Sequence, residues 1–129
     1  MRKLGLIGGI SWASTELYYR YLNEGVQKRL GTSCSAPIVM ESLNYCDLSR
    51  LTTDAQWDHA RDVLIASAQR LEAAGATALM IAANSMHKVA ADVAGAINIP
   101  LIHIVDATGE KMRADGVKSA AVIGTRNVM

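Results

Sequence analysis

Short apolar runs alternate along the chain with longer stretches in which apolar side chains recur every three or four residues, the pattern of strands alternating with helices. Residues 3–7 form an apolar run closed by Gly8-Gly9, which predicts a buried strand. Tyr18, Tyr21 or Leu22, Val26 and Leu30 then fall at helical spacing, predicting a helix over about 14–30 with Gly31 as its stop. Residues 37–42 predict a second strand, and a polar loop leads on to Thr53, a good N-cap. Behind it, Trp57, Ala60, Leu64, Ala68 and Leu71 line one face of a second helix that ends at Gly75. Residues 78–83 predict the third strand. Asn84 and Ser85 suit the N-cap of a further helix whose stripe is Val89, Val93 and Ile97. Pro100 precedes a short strand at 101–104, a helix over about 106–115 stops at Gly116, and 120–123 reads as a fifth strand.

Such alternation, with helices long enough to cross back over a parallel sheet, predicts an α/β fold. Right-handed crossovers make it a doubly wound parallel sheet of the Rossmann or flavodoxin kind, with helices on both faces. The 129 residues fill about one domain. The expected division is an N-terminal α/β lobe over 1–115, with 116–129 as the first strand of a second lobe that is otherwise absent. The chain stops soon after that strand, with no helix to cover it.

Composition narrows the class. Half the residues are hydrophobic and 19% are charged, which excludes a disordered tail. Thirteen Lys and Arg against twelve Asp and Glu leave a net charge of +1, so no nucleic-acid or anionic membrane surface is expected. Few aromatics and no Phe favour helices packed on a sheet over a β-sandwich. Cys34 and Cys46 form no CxxC motif, in keeping with a reducing cytoplasm and no structural zinc. Gly8-Gly9 cut the first apolar run too short for a signal peptide. Since no window reaches the roughly eighteen apolar residues of a membrane span, a soluble, cytoplasmic protein is expected.

In an open parallel sheet, ligands bind beyond the carboxyl ends of the strands. There the predicted fold gathers 8–12, Asn44, 82–85 and 124–126. These segments offer glycines, amides and hydroxyls beside helix N-termini, a setting for a small carboxylate or phosphate. Each has a plainer reading as well. Gly8 and Gly9 serve a tight turn, Asn84 and Ser85 serve as caps, His87 is a surface or supporting residue, and Thr125-Arg126 is chain-end polarity. Convergence carries the functional reading. Nucleotide motifs are weaker: Gly5-x-x-Gly8-Gly9 is not GxGxxG, and no GxxxxGK[ST] occurs. Ser11, Ser14 and Thr15 leave open a flavin phosphate site of the flavodoxin kind, although few aromatics are present to stack on the ring.

The run Gly5-Leu6-Ile7-Gly8-Gly9-Ile10-Ser11-Trp12-Ala13-Ser14-Thr15, followed by Tyr18-Tyr19, resembles the opening of the aspartate/glutamate racemase family. Its bacterial L-aspartate/glutamate and broad-specificity branch is the nearest in kind. Asn84-Ser85-Met86-His87-Lys88 is similar to that branch's Asn-Thr-Met-His-Lys run. Residues 103–108 and 123–126 match its later segments. The resemblance implies a two-lobed α/β isomerase of about twice this length, working without pyridoxal phosphate or metal. In that family two residues, typically cysteines, face each other across the cleft between the lobes. One takes the α-proton of an amino acid and the other returns a proton to the opposite face. Such inversion needs a base, an acid and donors that hold the carboxylate.

Carried over by resemblance, Ser11, Asn84, Ser85 and Thr125 hold the substrate carboxylates or line the pocket. The acid–base position is occupied by Ala83, with Ala82 beside it, and a methyl group moves no proton. Cys34 and Cys46 match neither catalytic position, and the second cysteine of the family would lie beyond Met129. The expected activity is therefore cofactor-independent racemisation of aspartate, glutamate or a broader set of amino acids, by a chain that looks truncated. The alternative is an inactive relative that binds an amino acid or dicarboxylate. A lone lobe exposes the surface meant for its partner lobe, so a homo-oligomer is expected.

Overall fold

The computed structural model describes residues 2–48 and 51–124. Its centre is a three-stranded parallel sheet in the order β2-β1-β3. β1 (Leu4–Gly8) lies between β2 (Ile38–Ser42) and β3 (Ala78–Ile81), with Leu4 opposite both Ile38 and Ala78. A middle strand is covered on both sides and both faces, which explains why residues 5–8 are all buried and apolar or glycine.

Helix α1 (Trp12–Leu30) links β1 to β2, and α2 (Asp54–Ala73) carries the chain back across β1 to β3. These two steps run in opposite directions along the sheet, so right-handed crossovers put the helices on opposite faces. On the α2 face, Ile7, Leu79 and Ile81 pack with Ala60, Leu64, Ala68 and Leu71, the stripe read from the sequence. Met86, Val89 and Val93 extend this core through a 3-10 turn (Asn84–Val89) and the short helix α3 (Ala90–Gly95). Thr53 caps α2 in a capping box: Gln56 N–H donates to Thr53 Oγ1 at 3.3 Å, and Thr53 N–H donates to Gln56 Oε1 at 3.2 Å.

The second half of the chain departs from expectation. The fourth strand shrinks to one parallel bridge, Leu79 to Leu101, flanked by Leu79 N–H to Pro100 O and Ile102 N–H to Leu79 O. Pro100 has no N–H to give a ladder, and α4 (Ile104–Ala114) begins only three residues beyond Leu101, capped by His103. The expected fifth strand at 120–123 is not formed: 117–124 has no regular structure, and Ile123 is 93% exposed. A strand needs a neighbour to pair with, and none lies beside this segment among the described residues. No helix among them is long and apolar enough to cross a membrane.

Candidate functional site

The turn after β1 is built around one glycine and one hydroxyl. Gly9 has φ +82°, and a Cβ there would run into the Leu43 backbone. Only glycine fits both demands without strain. Thr15, buried in the first turn of α1, accepts a hydrogen bond from Gly9 N–H at 2.9 Å and donates to Ser11 O at 3.0 Å. A Cβ on Gly8 would collide with this same threonine, so Gly8 lets α1 sit tightly on the end of β1. Ser11 is the N-cap, its Oγ accepting from Ser14 N–H at 3.3 Å. That leaves the Ser11 O–H proton to donate outward.

Beyond β3, Ala83 takes the N-cap position with no side-chain cap bond. This corrects the expectation that Asn84 or Ser85 caps the following helix: both lie inside the 3-10 turn, and neither side chain is spent on its start. Both line a hollow of about 410 Å³ together with Ile10, Ser11, Ser14, Tyr18, Tyr45, Ala82 and Ala83. The convergence read from the sequence is therefore real for Ser11, Asn84 and Ser85. Thr125 and Arg126 lie outside the described residues. Asn44 does not line the hollow; its amide donates to Asp47 at 3.2 Å and its carbonyl accepts from Cys46 N–H, stabilising its own turn.

Ser14, named from the sequence only for a flavin phosphate, joins the lining, as do Tyr18 and Tyr45, which the sequence did not single out for the site. Ser11, Ser14 and Tyr18 stand three and four apart, so one face of α1 carries all three, a spacing that was there to be read. Tyr45 had no such signal, because its place depends on how the loop after β2 folds over.

The lining holds hydroxyls, an amide and methyl groups, and no charged side chain. No acidic residue occupies the first turn of α1, so the positive end of its dipole faces the hollow uncompensated. Burial pushes the Tyr18 phenol above its ordinary value, keeping it neutral and a donor. Such a surface suits a carboxylate. Ala82, 1% exposed, and Ala83 supply no group that can carry a proton.

A parallel α/β lobe with a donor-lined hollow at its carboxyl rim is the class of structure defined so far. Sequence comparison makes it particular: the chain belongs to the Asp/Glu/hydantoin racemase family, whose model matches residues 7–128. Two solved structures are similar. One is a Yersinia pestis protein classed as a candidate Asp/Glu racemase, 40% identical over 90% of this chain, with a TM-score of 0.84. The other is an aspartate racemase homologue from Pyrococcus horikoshii OT3, 31% identical over 90% of this chain, with a TM-score of 0.82. This chain spans 50% of the length of each.

Proposed function

We propose that this chain is the carboxylate-holding lobe of a cofactor-independent amino-acid racemase acting on aspartate, glutamate or a broader set. The shared hollow of Ser11, Asn84 and Ser85 carries this reading. It places hydroxyl and amide donors against the N-terminus of a 19-residue helix, where negative charge on a carboxylate, and its growth on the enolate-like transition state, is stabilised. Removing and returning the α-proton needs an acid–base group on each face of the substrate. In this reading the second, a cysteine, lies beyond Met129 in a second lobe of which 116–129 is the beginning. The first position, in this lobe, is filled by Ala83 and brings no proton-carrying side chain.

The Ala82-Ala83 pair favours a second reading, an inactive relative that binds an amino acid or dicarboxylate without moving its proton. One pair of measurements separates the two: calorimetric titration with L-aspartate, L-glutamate and succinate, and exchange of the α-proton into deuterated water followed by NMR. Binding with exchange supports the racemase. Binding without exchange, in the 129-residue chain and in a two-lobed protein alike, supports the binding relative. No binding by either protein overturns both.

A cytoplasmic location and self-association belong to the same proposal. Val122 and Ile123 stand 66% and 93% exposed past α4, apolar surface that a second copy would cover. A monomeric sedimentation profile at high protein concentration would contradict self-association.

A further inference from the structure

His87 sits half-buried between two backbones. Its Nδ1 lies 3.1 Å from the carbonyl oxygen of Ala83, which can only accept, so Nδ1 carries the proton. Its Nε2 lies 3.4 Å from the backbone nitrogen of Ile104, whose N–H can only donate, so Nε2 offers a lone pair. Both contacts are made at once only by the neutral Nδ1–H tautomer. Ala83 lines the hollow and immediately precedes Asn84, while Ile104 is the first residue of α4.

We propose that His87, as this tautomer, is a positioning residue that ties the Ala83–Asn84 turn of the carboxylate hollow to the start of α4, and that protonation unties it. The second proton would sit on Nε2, facing the N–H of Ile104, donor against donor. The bond to Ala83 survives and the bond to α4 does not.

The surroundings oppose that proton. The His103 ring packs edge-on, with centroids 4.6 Å apart, and its Nδ1 accepts from Val105 N–H at 3.2 Å. The first two N–H groups of α4 are thus each held by an imidazole nitrogen, and a charge on His87 would face the positive end of the α4 dipole. The titratable groups sharing the neighbouring hollow are His103 and Lys88, and the Lys88 ammonium lies 4.3 Å from the Trp57 ring centroid. Asp106, in the first turn of α4, is exposed. Burial is the main cause that holds His87 below its ordinary value. A base with a depressed folded value adds stability that is complete above its unfolded pKa of about 6.5 and is lost as pH falls from there through the folded value.

Imidazole nitrogen NMR on the 129-residue chain tests this directly. At pH 7.5, Nδ1 of His87 should be protonated and Nε2 should not. On acidification, the protection of the Ile104 amide, taken against the unfolded exchange rate at the same pH, should fall at least tenfold with the His87 titration, while the Val105 amide is affected less. The His87→Gln variant has a donor and an acceptor but no titration, so it should keep Ile104 protected and abolish the pH dependence. An Nε2–H tautomer, a midpoint at or above the free-histidine value, or Ile104 protection indifferent to the titration would each overturn the proposal. The link to the hollow rests on the reading given above and has its own readout. The ratio of succinate affinity in the native chain to that in the Gln variant, in which the ligand's own protonation cancels, should fall severalfold across the same titration. A ratio that stays flat while Ile104 responds overturns that link. Failure of succinate to bind at any pH counts against the hollow as a carboxylate site, and the NMR result still decides what His87 does.

Discussion

Over its 20 residues α2 buries Trp57, Ala60, Leu64, Ser67, Ala68 and Leu71 against the sheet, whereas α1, 19 residues long, buries Thr15 alone. On the α1 face Leu17 and Tyr21 remain 41% and 59% exposed. One face carries the hydrophobic stability of the lobe. The other holds its helix mainly at one end, where Gly8, Gly9 and Thr15 fix the N-terminus that faces the hollow. Stability and site geometry therefore rest on different side chains, and substitutions should separate them.

The largest effect is expected in the α2 face. Leu64 is 0% exposed, and Leu64→Ala should cost about 3 kcal/mol through lost burial and the cavity left behind. Tyr21→Ala, on the exposed side of α1, should change stability by less than about 0.5 kcal/mol. Urea denaturation of the two variants checks this, and equal losses would break the contrast between the faces.

Gly9→Ala comes next. It combines a left-handed backbone with a collision against the Leu43 backbone, and should cost about 2 kcal/mol in the same denaturation experiment. The feature specific to this position is a second loss. Because α1 is displaced at its N-terminus, succinate binding should weaken in Gly9→Ala and not in Leu64→Ala measured where both are folded.

Ser11→Ala should reverse the balance between stability and binding. Loss of the cap costs about 1 kcal/mol. Loss of a donor to a carboxylate weakens binding by about tenfold, the equivalent of roughly 1.4 kcal/mol. Calorimetry with succinate reads the second effect, and an unchanged affinity would remove Ser11 from the site.

The same division explains what was legible in the sequence. The α2 stripe, the Thr53 cap and the three strands were readable because burial imposes a period on the residues that are buried. The α1 stripe was readable in position, yet Tyr18, Leu22 and Val26 are only half-buried, since periodicity does not report how much covers a helix. That Ser11, Asn84 and Ser85 line one hollow was legible because open parallel sheets gather the loops after their strands at one rim. The strands at 101–104 and 120–123 were misread: short, largely apolar runs look alike whether or not a partner strand lies beside them. His87 was read only as a surface or supporting residue because its partners are backbone groups 4 and 17 positions away, which leave no mark on the sequence.

The smallest effect is electrostatic, at the outer edge of the α2 face. Glu41 on β2 accepts hydrogen bonds from Arg70 at 2.6 Å and 3.1 Å and from the buried Ser67 hydroxyl at 2.9 Å. The Arg70 bond is the main cause that holds the Glu41 carboxyl below its ordinary value of 4.5. A depressed carboxyl contributes stability that is fully present above the unfolded value and is lost as pH falls through the folded one. Glu41→Gln should therefore lower the urea midpoint slightly at pH 7, with the difference shrinking below about pH 4.5 as the native carboxyl also becomes neutral. Arg70 is largely in solvent, so salt should shrink it too. A midpoint difference that persists unchanged at pH 3 would mean that Glu41 acts by packing rather than by charge, and the α2 face would then be apolar in its energetics right to its edge.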